Sequence, residues 1–131
     1  MKFKYKQFGL DTLRPVVPIE IEYNNLVTPY EVLVDSGADI CIFNSQIAEV
    51  LGIDLLKGIK SQVNGISGFP QEIYIHTVRI KIGSKYYKTD VGFIQMSNTS
   101  YGVVGQKGFF DIFIVKFDLL KKEIEIKPRK S

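Results

Sequence analysis

The sequence has few of the residues that form covalent or metal-bound scaffolds: one cysteine, one histidine and no tryptophan among 131 residues. A single cysteine, Cys41, cannot form a disulfide within the chain or a cysteine-based zinc site. His76 lies in an alternating run with no neighbouring Cys or His, so we expect it to face solvent rather than bind metal. We therefore expect neither a metal nor another cofactor.

Long apolar runs are also absent, since none approaches the roughly 20 residues that span a bilayer. We therefore expect no membrane partner. The Lys-rich amino-terminal segment alternates with aromatic residues like a strand, and no apolar segment follows it. It does not resemble a secretory signal, and we expect a cytoplasmic location.

The excess of positive over negative charge is small. The chain has 17 Lys and Arg against 14 Asp and Glu, a net charge of +3, and its basic residues are spread along the sequence. We therefore expect no nucleic acid partner. A hydrophobic fraction of 45% excludes a disordered chain. The length fits a single domain, residues 1–131.

Alternating apolar and polar segments dominate the sequence and predict an all-β fold. Three pairs of such segments, each joined by turn residues, predict hairpins: 16–23 with 29–34, 73–82 with 86–94, and 112–117 with 124–127. Only two helices are predicted. Asn44 would cap a helix over 46–51 that ends at Gly52, and a shorter helix would run from 107 to about 112.

One segment carries a chemical signal. The apolar residues Val32 to Val34 lead directly into Asp35, Ser36, Gly37 and Ala38. A carboxylate at the end of a buried strand is costly to desolvate unless it has a partner, and the small residues let another molecule approach. An ordinary turn is the simpler interpretation. However, Asp-Ser/Thr-Gly-Ala should occur by chance in only about one chain of this length in a few hundred.

The segment Asp35-Ser36-Gly37-Ala38 resembles the active-site motif of retropepsin-like aspartic proteases. Val103-Val104-Gly105 resembles the hydrophobic-hydrophobic-glycine motif that precedes a short helix in that family. The closing segments at 113–128 and the helix near 44–51 resemble bacterial and cellular members more than compact retroviral ones. A glycine-rich segment resembles the flap tip: Val63, Asn64, Gly65, Ile66, Ser67, Gly68 and Phe69.

The resemblance covers residues 14–128. It implies a closed β-barrel with a β-hairpin flap and one or two short helices, working as a two-fold homodimer. It also implies aspartic endopeptidase activity on extended, apolar-rich peptide or protein substrates, with a water activated between the Asp35 carboxylates of the two chains. Ser36, Gly37, Ala38 and Asp39 would support the active-site loop. Four further residues would line substrate pockets: Tyr101, Val103, Val104 and Gly105.

Two features depart from the simplest form of this interpretation. Retroviral members place an Arg after the glycine of the third motif, where it pairs with the acid equivalent to Asp39, but this chain has Gln106. The mechanism also needs a second acid. Asp90-Val91-Gly92 comes nearest but lacks the hydroxyl, which favours a homodimer. The other candidates are Asp11, Asp54, Asp111 and Asp118.

Three functions are therefore open at the level of sequence. The first is a dimeric aspartic endopeptidase. The second is a catalytically weak or inactive peptide-binding module on the same fold. The third is a β-barrel interaction domain in which the motif is a coincidence.

Overall fold

The computed structural model describes residues 1–64, 68–96 and 101–129. These residues form mainly strands, with one α-helix, α1 (Ser45–Val50), and one 3-10 turn at Leu55–Lys57. The strands are β1 (Lys2–Lys4), β2 (Lys6–Phe8), β3 (Thr12–Arg14), β4 (Val16–Tyr23), β5 (Leu26–Val34), β6 (Ile42–Asn44), β7 (Ile59–Asn64), β8 (Pro70–Ile82), β9 (Lys85–Ile94), β10 (Gly102–Val104), β11 (Phe113–Asp118) and β12 (Glu123–Pro128). Across these ranges, no helix has both the length and the apolar character needed to cross a bilayer.

Six strands form a closed barrel. They follow the order β4-β5-β10-β6-β9-β8, and the ring closes because β8 also pairs with β4, with Ile21 opposite Ile80. β7 pairs with the amino-terminal part of β8, from Pro70 to Ile75, and the two strands form a hairpin that extends the sheet. The predicted all-β fold with a closed barrel is therefore confirmed.

The three predicted hairpins are present, and their turns explain why they form. Asn24 and Asn25 join β4 to β5 with φ values of 48° and 68°, a conformation that asparagine tolerates better than most residues. Gly83 joins β8 to β9 with φ of 71°. The third hairpin joins β11 to β12. The strands are longer than predicted, since β5 begins at Leu26 and β8 at Pro70.

The barrel interior is filled by branched aliphatic side chains and a group of phenylalanines. Phe43, Phe93, Phe109 and Phe113 are all at least 99% buried. The rings of Phe109 and Phe113 lie 4.8 Å apart, which places the segment after β10 firmly against the core. This segment, whose backbone also donates hydrogen bonds to the carbonyls of Ala38 and Asp39, is therefore anchored in the core.

The amino-terminal segment forms two short strands instead of one. β1 joins β12 and β11 in a three-stranded sheet, and the chain then turns so that β2 pairs with β3. The backbone N–H of Tyr5, between β1 and β2, donates to the carbonyl of Lys122 at 2.8 Å. The amino terminus is thus fastened to the last hairpin of the chain.

The first predicted helix is confirmed and the second is wrong. The side chain of Asn44 caps α1 by accepting a hydrogen bond from the backbone N–H of Gln46 at 3.2 Å. Lys107 forms a β-bridge with Ile40, and the residues from 108 to 112 form turns instead of a helix. The reason is Gly108, whose φ of +101° is incompatible with a right-handed helix.

The expectation for His76 was also wrong. Its side chain is half-buried, and Nε2 lies 2.9 Å from the carbonyl oxygen of Leu55. Its ring packs 5.8 Å from that of Phe93. The histidine therefore fastens the 3-10 turn to β8 instead of facing solvent.

Candidate active site

Asp35 lies directly after the last residue of β5, in the wall of the barrel. Its backbone N–H donates to the carbonyl of Val104 at 3.0 Å, and the preceding Val34 donates to the carbonyl of Pro15 at 2.9 Å. Val32 and Val34 are buried, whereas Leu33 and Asp35 are half-buried. The alternation along the strand therefore directs Asp35 toward the same side as Leu33, away from the core.

The residues after Asp35 fold back on its carboxylate. The backbone N–H of Gly37 donates to Asp35 Oδ1 at 2.9 Å, and that of Ala38 donates to the Asp35 carbonyl at 3.1 Å. A Cβ at position 37 would lie 3.2 Å from Oδ1, which is tighter than usual. Ser36 and Gly37 are exposed, so a second molecule can reach the loop.

The third motif supports this loop from behind. β10 runs parallel to β5, with Val104 opposite Val34. Beyond it, the N–H groups of Gln106 and Lys107 donate to the carbonyls of Ala38 and Asp39 at 2.8 and 2.9 Å. The Asp35 loop and the segment after β10 were predicted from two separate motifs of the same family. In the structure, their backbones are in direct contact.

Gln106 takes a different partner from the one that the family pattern suggests. Its side-chain Nε2 donates to the backbone carbonyl of Ser36 at 2.8 Å. Asp39 is exposed, and in the described ranges of the chain its carboxylate is not a member of any ion pair. Gln106 therefore supports the active-site loop through the backbone of Ser36 and not through Asp39.

The predicted pocket-lining residues divide by burial. Tyr101 and Val103 are half-buried, whereas Val104 and Gly105 are buried. Val103 lies opposite Leu33 in the parallel pair, so Tyr101 and Val103 share the sheet face of Leu33 and Asp35. The pocket-lining role of these four residues stays a prediction.

Four of the residues predicted to form a flap lie at the outer end of the hairpin of β7 and β8, and their role as a flap stays a prediction. Val63 pairs with Gln71 and Asn64 with Pro70, at the outer end of this hairpin. Gly68 has a φ of +78°, and Phe69 is 73% exposed. Gly65, Ile66 and Ser67 lie outside the described residues.

Three other aspartates accept hydrogen bonds away from the Asp35 loop. Asp90 Oδ1 accepts a hydrogen bond from the Thr77 hydroxyl at 2.5 Å, on the β8–β9 hairpin. Asp111 Oδ1 accepts from the backbone N–H of Gly108 at 3.0 Å. Asp118 Oδ1 accepts from the backbone of Lys121 at 3.0 Å, in the turn between β11 and β12. Each of these carboxylates thus has a local structural role.

Cys41 is not available as a nucleophile in this fold. It is fully buried, and burial raises the pKa of its thiol to about 11. The thiol contacts the carbonyl of Lys107 at 3.6 Å. Within the described part of the chain, no group of three or more His, Cys, Asp or Glu residues is placed to hold a metal ion.

Sequence reasoning missed one set of residues near the site. Phe8 and Arg14, from the β2–β3 hairpin, both contact Tyr101. The signal was weak, because Lys6-Gln7-Phe8 and Thr12-Leu13-Arg14 are only three residues each around Gly9. Such short segments are difficult to recognise as a hairpin from the sequence alone.

Comparison with known proteins agrees with this architecture. Residues 17–107 match the family model for aspartyl proteases. A retropepsin-like aspartic protease from Rickettsia conorii has a TM-score of 0.61 and 16% identity, over 95% of this chain and 88% of that one. EIAV protease in complex with the inhibitor HBY-793 has a TM-score of 0.55 and 24% identity, over 77% of this chain and 88% of that one.

No curated protein sequence matches the chain. Because these structural similarities lie below 25% identity, they describe the fold, while the family model covers most of the chain, including the loop that carries Asp35. The chain belongs to the aspartyl protease family and is an aspartic endopeptidase with a retropepsin-like fold.

Proposed function

We propose that the protein is a homodimeric aspartic endopeptidase in which each chain, acting as a single domain, contributes Asp35 to one shared site. The observation that carries the proposal is the loop after β5, which holds the Asp35 carboxylate through the N–H of Gly37 on an exposed surface. One such loop supplies half of the catalytic pair. A two-fold axis through the loop would supply the other half.

In the proposed mechanism, the two Asp35 carboxylates share one proton, because like charges so close together cannot both ionise. The ionised carboxylate removes a proton from a water molecule, which attacks the carbonyl carbon of the peptide bond. The protonated carboxylic acid donates a hydrogen bond to the carbonyl oxygen. As the C–N bond breaks, the carboxyl group that took the proton from water donates it to the leaving amine, and the pair again holds one proton.

Substrate binding would use the sheet face that carries Leu33, Val103 and Tyr101 beneath the β7–β8 flap. An extended peptide between the flap and this face can form strand-like backbone hydrogen bonds, while alternate side chains enter pockets. The half-buried apolar side chains of Leu33 and Val103 favour apolar residues in the substrate. The exposed ring of Phe69 would lie near the outer end of the flap.

The test is cleavage of unfolded proteins from acid to neutral pH, with the new termini mapped by mass spectrometry. The wild-type protein should produce specific cleavages, and Asp35→Asn should produce none. Asp90→Asn is the matched control, because it removes an acid that bonds to Thr77 and should keep activity. A wild-type protein that binds peptides without cleaving them would contradict the proposal and favour a peptide-binding module.

A mixing experiment tests the shared site. Asp35→Asn titrated into a fixed amount of wild-type protein should form inactive mixed dimers, so activity should fall to roughly half at equal concentrations under random exchange. Activity that is independent of the added variant would contradict the shared pair. Sedimentation of the wild-type protein provides the second measurement, and a strict monomer in the active preparation would contradict the homodimer.

A further inference from the structure

The β2–β3 hairpin lies outside the closed barrel and contacts it at Tyr101 and Glu31. It precedes residue 17, where the match to the family model begins. Its strands pair with each other only, with Lys6 opposite Arg14 and Phe8 opposite Thr12. None of residues 6–14 is buried, so the hairpin adds nothing to the core of the barrel.

One face of this hairpin contacts the barrel. Directly opposite residues share a face, so Lys6, Phe8 and Arg14 lie on the same side. Lys6 forms an ion pair with Glu31 on β5, and the guanidinium of Arg14 donates to the hydroxyl of Tyr101. The Phe8 ring packs against the Tyr101 ring, with centroids 5.2 Å apart and planes at 67°.

These contacts hold both ends of the Tyr101 side chain. Phe8 packs against the ring in an edge-to-face arrangement, while Arg14 binds the hydroxyl. The Arg14 guanidinium also lies 5.5 Å from the Phe8 ring centroid, so the three side chains support one another. Tyr101 leads directly into β10, whose other end supports the Asp35 backbone.

We propose that the β2–β3 hairpin is a specificity element, in which Phe8 and Arg14 are positioning residues that fix Tyr101 as one wall of a substrate pocket. This inference rests on the proposed function, because it needs a peptide bound along the face of Tyr101 and Val103. A wall held at two points defines the width of the pocket. When the wall is loosened, the pocket accepts side chains of other sizes.

The location of the contacts favours this role over general stabilisation. The hairpin contacts Tyr101 and Glu31, and Tyr101 lies on the sheet face of Leu33 and Asp35. Its opposite face, which includes Leu13, is exposed to solvent. Loss of the Phe8 side chain should therefore change the pocket wall and leave the barrel core intact.

The experiment compares two peptides that differ only in the size of one apolar side chain, Leu or Ala, beside a bond that the wild-type protein cleaves. The ratio of kcat/KM for the two peptides measures pocket width. We expect Phe8→Ala to change this ratio by about tenfold, mainly through KM, since small steric differences in a pocket produce effects of that size. Leu13→Ala, on the opposite face of the same hairpin, should keep the wild-type ratio.

Conservative variants distinguish an effect on the position of Tyr101 from an effect on the folding of the protein. Phe8→Tyr keeps an aromatic ring and should restore the wild-type ratio. Tyr101→Phe keeps the ring but removes the hydroxyl that Arg14 binds, and should give a smaller change in the same direction. If Phe8→Ala does not fold, as judged by its thermal midpoint, Tyr101→Phe decides the question.

An unchanged ratio in folded Phe8→Ala and Tyr101→Phe would overturn this inference alone, because both peptides would still be cleaved. An equal change in Leu13→Ala would also overturn it, since the effect would then come from the hairpin's stability. Absence of cleavage by the wild-type protein would instead contradict the proposed function on which the inference rests.

Discussion

Replacement of Gly105 by alanine should move the active-site loop without changing any residue that reacts. A Cβ at this position would lie 2.5 Å from the carbonyl oxygen of Ala38 and 2.6 Å from that of Ile40. Both contacts are backbone atoms, so no side chain can rotate to make room. The neighbouring hydrogen bond from Gln106 N–H to the Ala38 carbonyl resists separation of the two segments.

The size of the effect follows from these distances. To reach an ordinary contact of about 3.4 Å, Cβ and the Ala38 oxygen must separate by about 0.9 Å. Ala38 is three residues beyond Asp35 in the same turn, so the carboxylate would move with it. A misplacement of about 1 Å can cost about 100-fold in rate, and overpacking costs about 1–3 kcal/mol of stability.

The assay measures kcat/KM and the free energy of urea unfolding for Gly105→Ala beside Gly52→Ala. Gly52 follows α1 with φ of +69° and would contact only Leu26 Cδ1 at 3.7 Å, so alanine there should cost roughly 1–2 kcal/mol by backbone strain. The two variants should thus lose similar stability, but only Gly105→Ala should lose about 100-fold in kcat/KM. Wild-type kcat/KM in a folded Gly105→Ala protein would refute the reasoning.

Three further predictions concern other parts of the fold. Gln106→Glu removes the amide that donates to Ser36, so kcat/KM should fall and unfolding should become easier by about 0.5–1.5 kcal/mol, whereas an unchanged urea midpoint would contradict this contact. Asn44→Ala should lose about 1 kcal/mol of stability through the helix cap and about 0.5–1.5 kcal/mol more through the hydrogen bond that Asn44 Nδ2 donates to the Met96 carbonyl, and wild-type stability in the same titration would contradict both contacts. Burial raises the pKa of Cys41 from 9.0 to about 11, so the folded state binds more protons between these values, and the free energy of unfolding should decrease as the pH rises from about 9 to about 11. In Cys41→Ala, the free energy of unfolding should decrease less over the same pH range. An identical pH dependence in both proteins would contradict the raised pKa of Cys41.

The sequence identified the elements whose signals are local. Asn24 and Asn25 mark a tight turn between two alternating segments, and the Asn44 cap marks the start of α1 because its effect reaches only the next turn. The Asp35 loop was recognisable because its chemistry is confined to four consecutive residues.

Features that depend on distant contacts could not be predicted in this way. Closure of the barrel pairs Ile21 with Ile80, and no pattern within either strand specifies that register. The turn conformation of Gly108 and the bond from His76 to Leu55 likewise depend on packing between separate segments. Gly105 was expected to line a pocket, and its tight contact with the backbone of Ala38 and Ile40 became apparent only in three dimensions.

The 13-residue strand β8 has consequences for how this family can vary in length. At about 3.3 Å per residue, it extends roughly 43 Å. Its first residues form a hairpin with β7, and its last residues close the barrel against β4. An insertion or deletion of one residue within Pro70–Ile82 would reverse the inward and outward positions of the side chains on one side of the change. Length changes between related proteins should therefore concentrate in the turns that flank this strand, while the strand itself keeps a constant number of residues.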